Sequence, residues 1–383
     1  MQAALAWKDR IHASLDGLLA SPRFRRWAAA FPLTRPIARR RARELFDLCA
    51  GFVYSQVLLA CVRLHLFEIL AEGPQHADAL AQRLALRPDA ASRLLEAAVS
   101  LRLLARRGGD RYGLGPLGAT LVGNAPLLSM IEHHALLYED LRDPLALLRR
   151  GPGQGALAQY WAYAGSGDPA QLEAQRVARY SALMSDSQPL VADEVLDAYP
   201  LHRHRCLLDV GGGEGGFLVA AARRNPRLRL MLFDLPAVAA RAQARLANAG
   251  LAQRASVHGG SFLGDPLPAG ADAISLVRVL HDHDDDAVRR ILAAARRALP
   301  DDGVLLVAEP MADTPGAEAM GAAYFGFYLM AMGSGRPRTR QRLGQLLREA
   351  GFDGGRPLPT RLPIQTGLLV ARAQPAGGAG TDA

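Results

Sequence analysis

Residues 206–216, Cys-Leu-Leu-Asp-Val-Gly-Gly-Gly-Glu-Gly-Gly, decide how the rest of the 383-residue chain is read. Cys206, Leu207 and Leu208 end an apolar run, the mark of a buried strand. Asp209 follows, then glycines at 211, 212, 213, 215 and 216, then FLVAAARR, which has helical character. The stretch predicts a strand running into a glycine-rich turn and on into a helix N-terminus. Glycine admits positive φ and lets a ligand approach the backbone closely. The first N–H groups of a helix lack intrahelical partners and can bind a polar or negative group.

Gly211-x-Gly213-x-x-Gly216 fits a dinucleotide fingerprint, and a plain tight turn fits as well. Asp209 tips the choice. A carboxylate at the strand end repels a pyrophosphate and attracts a cation. S-adenosylmethionine carries a sulfonium and an ammonium and no phosphate, so Asp209, Gly211 and Gly213 suit that cofactor better than NAD. Asp234 ends the next strand-like run, LRLMLFD, where a carboxylate is expected to accept hydrogen bonds from ribose hydroxyls. Leu235 follows it on the same edge.

Working outward, strand-like runs at 205–210, 228–234, 255–259, 272–279, 303–309 and a terminal pair near 357–372 alternate with helical runs at 215–224, 236–249, 286–299 and 338–351. That order predicts an α/β fold with a doubly wound, Rossmann-like sheet over 201–373. Residues 44–125 predict a separate helical unit. One long apolar helix, Glu44 to Leu70, is expected to be buried in a dimer interface. HADALAQRLAL and PDAASRLLEAAVSLRLL form two shorter helices, and LARRGGDRYGLGPLG reads as a hairpin on a Gly-Gly turn. This is the order of a winged helix. Its second helix carries only Arg93 and Arg102 with Glu96 between, a poor groove reader, so a dimerisation module is expected and no nucleic acid. Residues 126–200 are broken helices expected to line a substrate site. His133-His134 and the cluster Tyr160-Trp161-Ala162-Tyr163 fit a cavity, the core or the surface. The tail 374–383 is expected to be disordered.

Composition narrows the class. Half the residues are apolar. Cys49, Cys61 and Cys206 all lie in apolar segments and are expected to be buried free thiols. No cysteine or histidine spacing matches a zinc site. The longest apolar run, Leu48 to Val62, is shorter than the ~20 residues a spanning helix needs, so it is expected to be a core helix. No secretory leader is expected. The formal net charge is +8, and residues 1–43 alone hold ten bases against two acids. Clustered arginines with Phe24, Trp27 and Phe31 suit an anionic membrane surface, a partner subunit or nucleic acid. The expected location is the cytoplasm, with peripheral contact to the inner or intracytoplasmic membrane through residues 1–43.

LVRVLHDHDDD, residues 276–286, carries the chemistry. A strand delivers His281 to the edge that holds the glycine turn. A hydroxyl acceptor must lose a proton as it attacks, and histidine is the usual general base near neutral pH. Glu309, at the end of GVLLVAE, is the expected orienting carboxylate. Asp284 to Asp286 suit the first turn of a helix. A metal site at His281 and His283, and a purely structural His281, are the alternatives.

DVGGGEGG, FDLP, GSFLGDPLP, VLHDHDDD and VAEP, in that order, resemble the S-adenosylmethionine-dependent O-methyltransferases of the caffeate/acetylserotonin type, over roughly residues 44–373. The resemblance implies a homodimer with an N-terminal winged-helix dimerisation domain. It also implies that Gly211 and Gly213 face the amino-acid end of the cofactor, that Asp234 takes the ribose, that Ser261 and Phe262 flank the adenine, that Met184 touches the cofactor and that His281 is the base. The family usually has Trp at His283, an acid at Ser261 and a second orienting glutamate at Pro337, which leaves Glu309 as the one expected partner of His281.

The first 70 residues, from ASPRFRRWAAAFPLTRPIARRR onward, are similar to bacterial carotenoid O-methyltransferases of the hydroxyneurosporene/demethylspheroidene type. That similarity implies methylation of the tertiary C-1 hydroxyl of an acyclic carotenoid. Residues 323–330, with Tyr324, Phe327 and Met330, are the expected apolar acceptor pocket. A phenolic or polyketide acceptor is the alternative, and a winged-helix regulator sensing a small molecule is a second one.

Overall fold

The structure, a computed structural model, describes residues 2–149, 153–161, 188–364 and 366–375. The chain divides into two compact units, Met1–Asn124 and Ala125–Ala383.

The first unit opens on three helices: α1 (Gln2–Ala20), α2 (Pro22–Ala30) and α3 (Arg35–Arg63). Ser21 caps α2 by accepting a bond from the Phe24 N–H, and Pro22 and Pro36 occupy first turns, where proline costs no hydrogen bond. The expected single helix over Glu44 to Leu70 is corrected. Helix α3 starts nine residues earlier at Arg35 and stops at Arg63, because His65 takes a left-handed φ of 51° before α4 (Leu66–Ala71) begins. Nor is α3 a core helix within this chain: it buries only Leu59, Cys61 and Val62, while Leu45, Leu48 and Phe52 stand open. Cys49 shares that open face and is exposed, whereas Cys61 and Cys206 are buried.

Next come β1 (Gln75–His76), α5 (Ala77–Arg83), α6 (Pro88–Ser100), β2 (Leu104–Arg107), β3 (Arg111–Leu114) and α7 (Pro116–Ala119). Helix α6 buries Ala91, Leu95 and Ala98, one helical stripe. Strands β2 and β3 form the expected hairpin, and β1 adds to β3 on its other side. This is a winged-helix arrangement.

The second unit begins with α8 (Ala125–Leu141), α9 (Pro144–Arg149) and α10 (Ala156–Tyr160), followed by a helix over 188–198, α11. Buried Asp140 caps α10 by accepting from the N–H groups of Ala156 and Leu157 at 2.8 and 2.9 Å. Met184, Ala162 and Tyr163 lie outside the described residues, as does the tail from 376 onward.

A seven-stranded sheet then forms the body of the unit, in the order β6-β5-β4-β7-β8-β10-β9. Its strands are β4 (Cys206–Val210), β5 (Arg229–Asp234), β6 (Ala255–Gly259), β7 (Ala273–Val277), β8 (Val304–Glu309), β9 (Arg356–Leu358) and β10 (Gly367–Arg372). The first five in chain order run parallel, and β10 near one edge is the reversed strand, antiparallel to both β8 and the edge strand β9. Helices α12 (Gly216–Arg224), α13 (Pro236–Asn248), α14 (Asp285–Ala298) and α16 (Arg340–Glu349) cover the faces, and α15 (Gly326–Met332) follows a π-helical turn over Met320–Phe325. Side chains alternate across the sheet: Leu208, Ile274 and Leu305 pack with α14 and α16, while Leu207, Ala273 and Leu306 pack with α11, α12 and α13. Both faces are buried, which is why these strands read as continuous apolar runs. Strand β4 pairs with β5 on one side and β7 on the other, so chain order reverses there, and ligands of such sheets sit at that crevice.

Candidate active site

The glycine turn leaves β4 at the point of reversal. Gly211 and Gly213 take positive φ values of 68° and 56°. A Cβ on Gly211 would lie 2.8 Å from a methyl of Val279, so the turn passes tightly beside the loop that carries His281. A Cβ on Gly213 would meet nothing within 4 Å, so the backbone there is open to a ligand. The Gly211 N–H donates to the Phe233 carbonyl at 2.8 Å and the Gly213 N–H to Asp234 Oδ2 at 2.7 Å. Asp234 Oδ1 accepts from the Leu235 N–H at 2.7 Å. The carboxylate thus ties the turn to the end of β5. Burial pushes Asp234 up to about 6, against those two backbone bonds.

Asp209 lies beneath the turn. It stands opposite Ser275 on β7, and its Oδ1 accepts from the Ser275 hydroxyl at 2.6 Å. Its Oδ2 is buried and accepts no hydrogen bond. Burial pushes this carboxyl up to about 7, against the Ser275 bond and helped by the charge of Asp234. The sequence reading placed Asp209 toward the ligand; the structure keeps it 1% exposed, on the β4 face it shares with Leu207. Its influence on a bound cation is through the field, without contact. An orphaned buried carboxylate oxygen under an open glycine backbone fits a cationic cofactor. A pyrophosphate there would face that charge.

Phe262 lies against the turn: its ring edge would be 3.6 Å from a Gly211 Cβ, and it meets His283 edge-on with centroids 5.3 Å apart. Ser261 closes a tight turn, its N–H donating to Asp265 Oδ2 at 2.8 Å and its carbonyl accepting from Gly264 and Asp265. Leu235 packs with α13 residues near Val238. Burial pushes the His283 imidazole down. Among the described residues, no group of three or more His, Cys, Asp or Glu side chains is placed to hold a metal.

His281 sits on a short 3-10 turn, Leu280–Asp282, just past β7. Glu309, at the end of β8 and 2% exposed, reaches it: Oε2 lies 2.5 Å from His281 Nδ1. Glu309 Oε1 accepts from the N–H groups of Val279 and Leu280 at 3.0 and 2.6 Å. One carboxylate therefore fixes both the ring and the backbone under it. With Nδ1–H donating to Glu309, the lone pair is left at Nε2. The expectation that Glu309 is the sole carboxylate partner is corrected: Asp282 Oδ1 lies 3.2 Å from Nε2. Burial alone would push the imidazole down; Asp282, Glu309 and the Glu309 hydrogen bond outweigh it, so its pKa lies above the ordinary value.

The expected acceptor segment straddles the π-helical turn and α15. Phe325 presents an edge to His281, with centroids 6.0 Å apart. Tyr324 and Tyr328 point to α8: Tyr324 Oη lies 2.7 Å from His134 Nε2, and Tyr328 Oη lies 2.8 Å from His133 Nε2. Trp161 Nε1–H donates to Tyr328 Oη at 2.8 Å. Burial pushes His133 down to about 4, so the ring is neutral beside the Tyr328 hydroxyl. Phe327 and Met330 pack, half-buried, in this same cluster with Leu137 and Leu157. The expected pocket 323–330 already included Phe325 and Tyr328, but sequence reasoning did not foresee the contact of Phe325 with His281 or of Tyr328 with His133 and Trp161; it missed Asp282 and left His133, His134 and Trp161 unassigned.

Comparison with known proteins agrees with this architecture. Residues 46–124 match the family described as the O-methyltransferase dimerisation domain, and residues 138–353 match the O-methyltransferase domain. The chain is 44% identical over 355 residues to demethylspheroidene O-methyltransferase of Cereibacter sphaeroides, covering 92% of this chain and 93% of that one. It is 41% identical over 340 residues to the enzyme of the same description from Rhodobacter capsulatus, covering 89% and 84%. Among solved structures it resembles human N-acetylserotonin methyltransferase in complex with S-adenosylmethionine, with a TM-score of 0.69, 25% identity and coverage of 87% and 98%.

Proposed function

Because the chain belongs to the S-adenosylmethionine-dependent O-methyltransferases, we propose that its acceptor is the tertiary C-1 hydroxyl of an acyclic hydroxy-carotenoid, in carotenoid biosynthesis. The observation that carries this acceptor is the extended likeness to the two demethylspheroidene O-methyltransferases, which runs through most of the chain. Residues 323–330, with half-buried Tyr324, Phe327 and Met330 beside Phe325, suit an apolar polyene end.

When bound, the cofactor would supply an electrophilic methyl group on a sulfonium, and Gly211, Gly213, Asp234, Leu235, Ser261 and Phe262 are the residues that would hold it. The chain's own work is placement and proton handling. A tertiary alcohol is a very weak acid, so His281 does not ionise it beforehand. Transfer would break the sulfonium S–CH3 bond as the C–O bond forms, with S-adenosylhomocysteine as leaving group; Nε2 would take the hydroxyl proton and Glu309 would steady the imidazolium through Nδ1–H. Much of the rate then comes from holding oxygen in line with the methyl carbon. Side-by-side assay with an acyclic tertiary hydroxy-carotenoid and with a catechol tests the acceptor. Higher kcat/KM for the carotenoid is expected; turnover of the catechol alone overturns it.

Two copies and a membrane complete the reading. Residues 46–124 are the dimerisation domain, and the open side chains Phe46, Leu48, Phe52 and Val53 on α3 suit burial against a second copy. Upstream of that domain, α1 leaves Trp7, Ile11, Leu15 and Leu18 exposed on one helical stripe, and Trp27 stacks on Phe31 with centroids 5.1 Å apart. Arginines 23, 25, 26, 35, 39, 40, 41 and 43 lie in the same stretch of sequence. An apolar stripe with this charge suits a peripheral position on an anionic bilayer, where a carotenoid resides. Helix α3 is also long and apolar enough to cross a membrane by length and composition. Deleting residues 1–43 is expected to release the protein from vesicles containing phosphatidylglycerol; undiminished binding would contradict the role given to this segment.

A further inference from the structure

The loop that carries His281 leaves the sheet, so its carbonyls have no strand partners and must be satisfied elsewhere. Four consecutive carbonyls, Leu280 to His283, each accept a hydrogen bond from one short segment, Ser334–Arg338. Arg338 Nη1 donates to Leu280 at 2.7 Å, and Arg338 Nη2 donates to His283 at 2.6 Å. The Arg336 N–H donates to His281 at 2.9 Å, and the Ser334 hydroxyl to Asp282 at 2.8 Å. The two chains press together: a Cβ on Gly335 would lie 2.1 Å from the His281 carbonyl oxygen.

Arg338 also reaches the other half of the pair. Its own carbonyl accepts from the Ala312 N–H at 2.9 Å, three residues past Glu309. Its Nε donates to Asp285 Oδ1 at 2.9 Å, which fixes the start of α14. Thr339 then caps α16, anchoring the segment to the helical layer. We propose that Arg338 is a positioning residue: with Ser334 and Arg336 it forms a strap that sets His281 against Glu309 by holding the histidine's backbone. The strap includes Pro337, where similar enzymes usually have a second carboxylate on the histidine.

The chemistry of the side chain supports this. Arg338 is 5% exposed, and burial pushes its pKa down, against the attraction of Asp285. Filling this volume with an apolar side chain would avoid that desolvation. A planar fork is what spans two carbonyls three residues apart, and lysine cannot span both. The inference rests on His281 being the base, so His281→Ala is measured alongside.

The test is Arg338→Met and Arg338→Lys in the full-length chain. Measured are kcat against pH, acceptor KM, and S-adenosylhomocysteine affinity by calorimetry. A misplacement near 1 Å costs about 10²-fold in rate, so Arg338→Met is expected to lose about that in kcat. Acceptor KM and S-adenosylhomocysteine affinity should stay within about threefold, since neither depends on where the histidine points. The alkaline-rising limb of kcat should move to lower pH, because a ring released from Glu309 loses the partner that raises its pKa. Arg338→Lys should recover part of the rate. A folded Arg338→Met with kcat and pH limb unchanged overturns the proposal. If that variant does not fold, Ser334→Ala decides: a several-fold loss in kcat with the limb moved supports the strap, and an unchanged profile overturns it. Activity retained by His281→Ala would instead sink the base assignment.

Discussion

His281 Nδ1 lies 2.5 Å from Glu309 Oε2, and the other oxygen of the same carboxylate holds the backbone N–H groups of Val279 and Leu280. Glu309 therefore sets the tautomer, the ring plane and the loop together. Replacing it with glutamine keeps the shape and removes the charge that raises the His281 pKa. Glu309→Gln is expected to lower kcat by about 10²-fold, within the range for general-base catalysis. The limb along which kcat rises as His281 loses its proton should move to lower pH. A pH–rate profile with the limb unmoved would exclude Glu309 as the partner.

Asp282 acts on the opposite nitrogen. Its carboxylate 3.2 Å from Nε2 also raises the His281 pKa. Asp282→Asn should move the same limb downward while leaving the Glu309 contact in place. The double variant should move it further than either alone, and a double variant no lower than Glu309→Gln would show that Asp282 contributes nothing.

Asp209 makes a prediction about stability. Its carboxyl is raised by burial from 3.8 to about 7 in the folded protein. The folded state therefore binds the proton more tightly than the unfolded state does. That contribution is fully present below the ordinary carboxylate range and is lost as pH rises through about 7. In cofactor-free protein, the melting temperature of the wild type relative to Asp209→Asn should fall as pH rises across that window. Cofactor affinity should rise over the same range in the wild type, because a cation favours the ionised carboxylate. Parallel melting curves in pH would contradict the assignment.

Tyr328 joins three elements through one oxygen. Its hydroxyl accepts from Trp161 and shares a hydrogen bond with neutral His133. Tyr328→Phe leaves a buried N–H and a buried ring nitrogen without this partner, at a cost of about 1–3 kcal/mol. A melting temperature several degrees lower is expected, with cofactor affinity kept. An unchanged melting temperature would mean that water replaces the hydroxyl.

Much of this was legible in the sequence. The parallel strands are buried on both faces, so each shows as an unbroken apolar run, and the glycines and acids that end them mark the functional edge. His281 and Glu309 were found because both close such runs. The position of Asp209 was also open to reading: period-two alternation puts it with Leu207, away from the solvent side of the turn. Other features depend on contacts far apart in sequence. Arg338 meets Leu280 and His283 across more than fifty residues, and His133 meets Tyr328 across 195. No local pattern encodes those pairs. Helix α3 misled for a different reason, since an apolar helix awaiting a partner has the same composition as one already buried.

The most direct test is transfer of a labelled methyl group. Wild-type protein and His281→Ala are each incubated with methyl-labelled S-adenosylmethionine and a pool of acyclic tertiary hydroxy-carotenoids, and products are followed by mass spectrometry. Label should appear as a methoxy group on the carotenoid with the wild type. With His281→Ala the rate should fall by about 10²–10⁴-fold while cofactor binding is retained. Label absent from every carotenoid, or transferred by His281→Ala at the wild-type rate, would contradict the account.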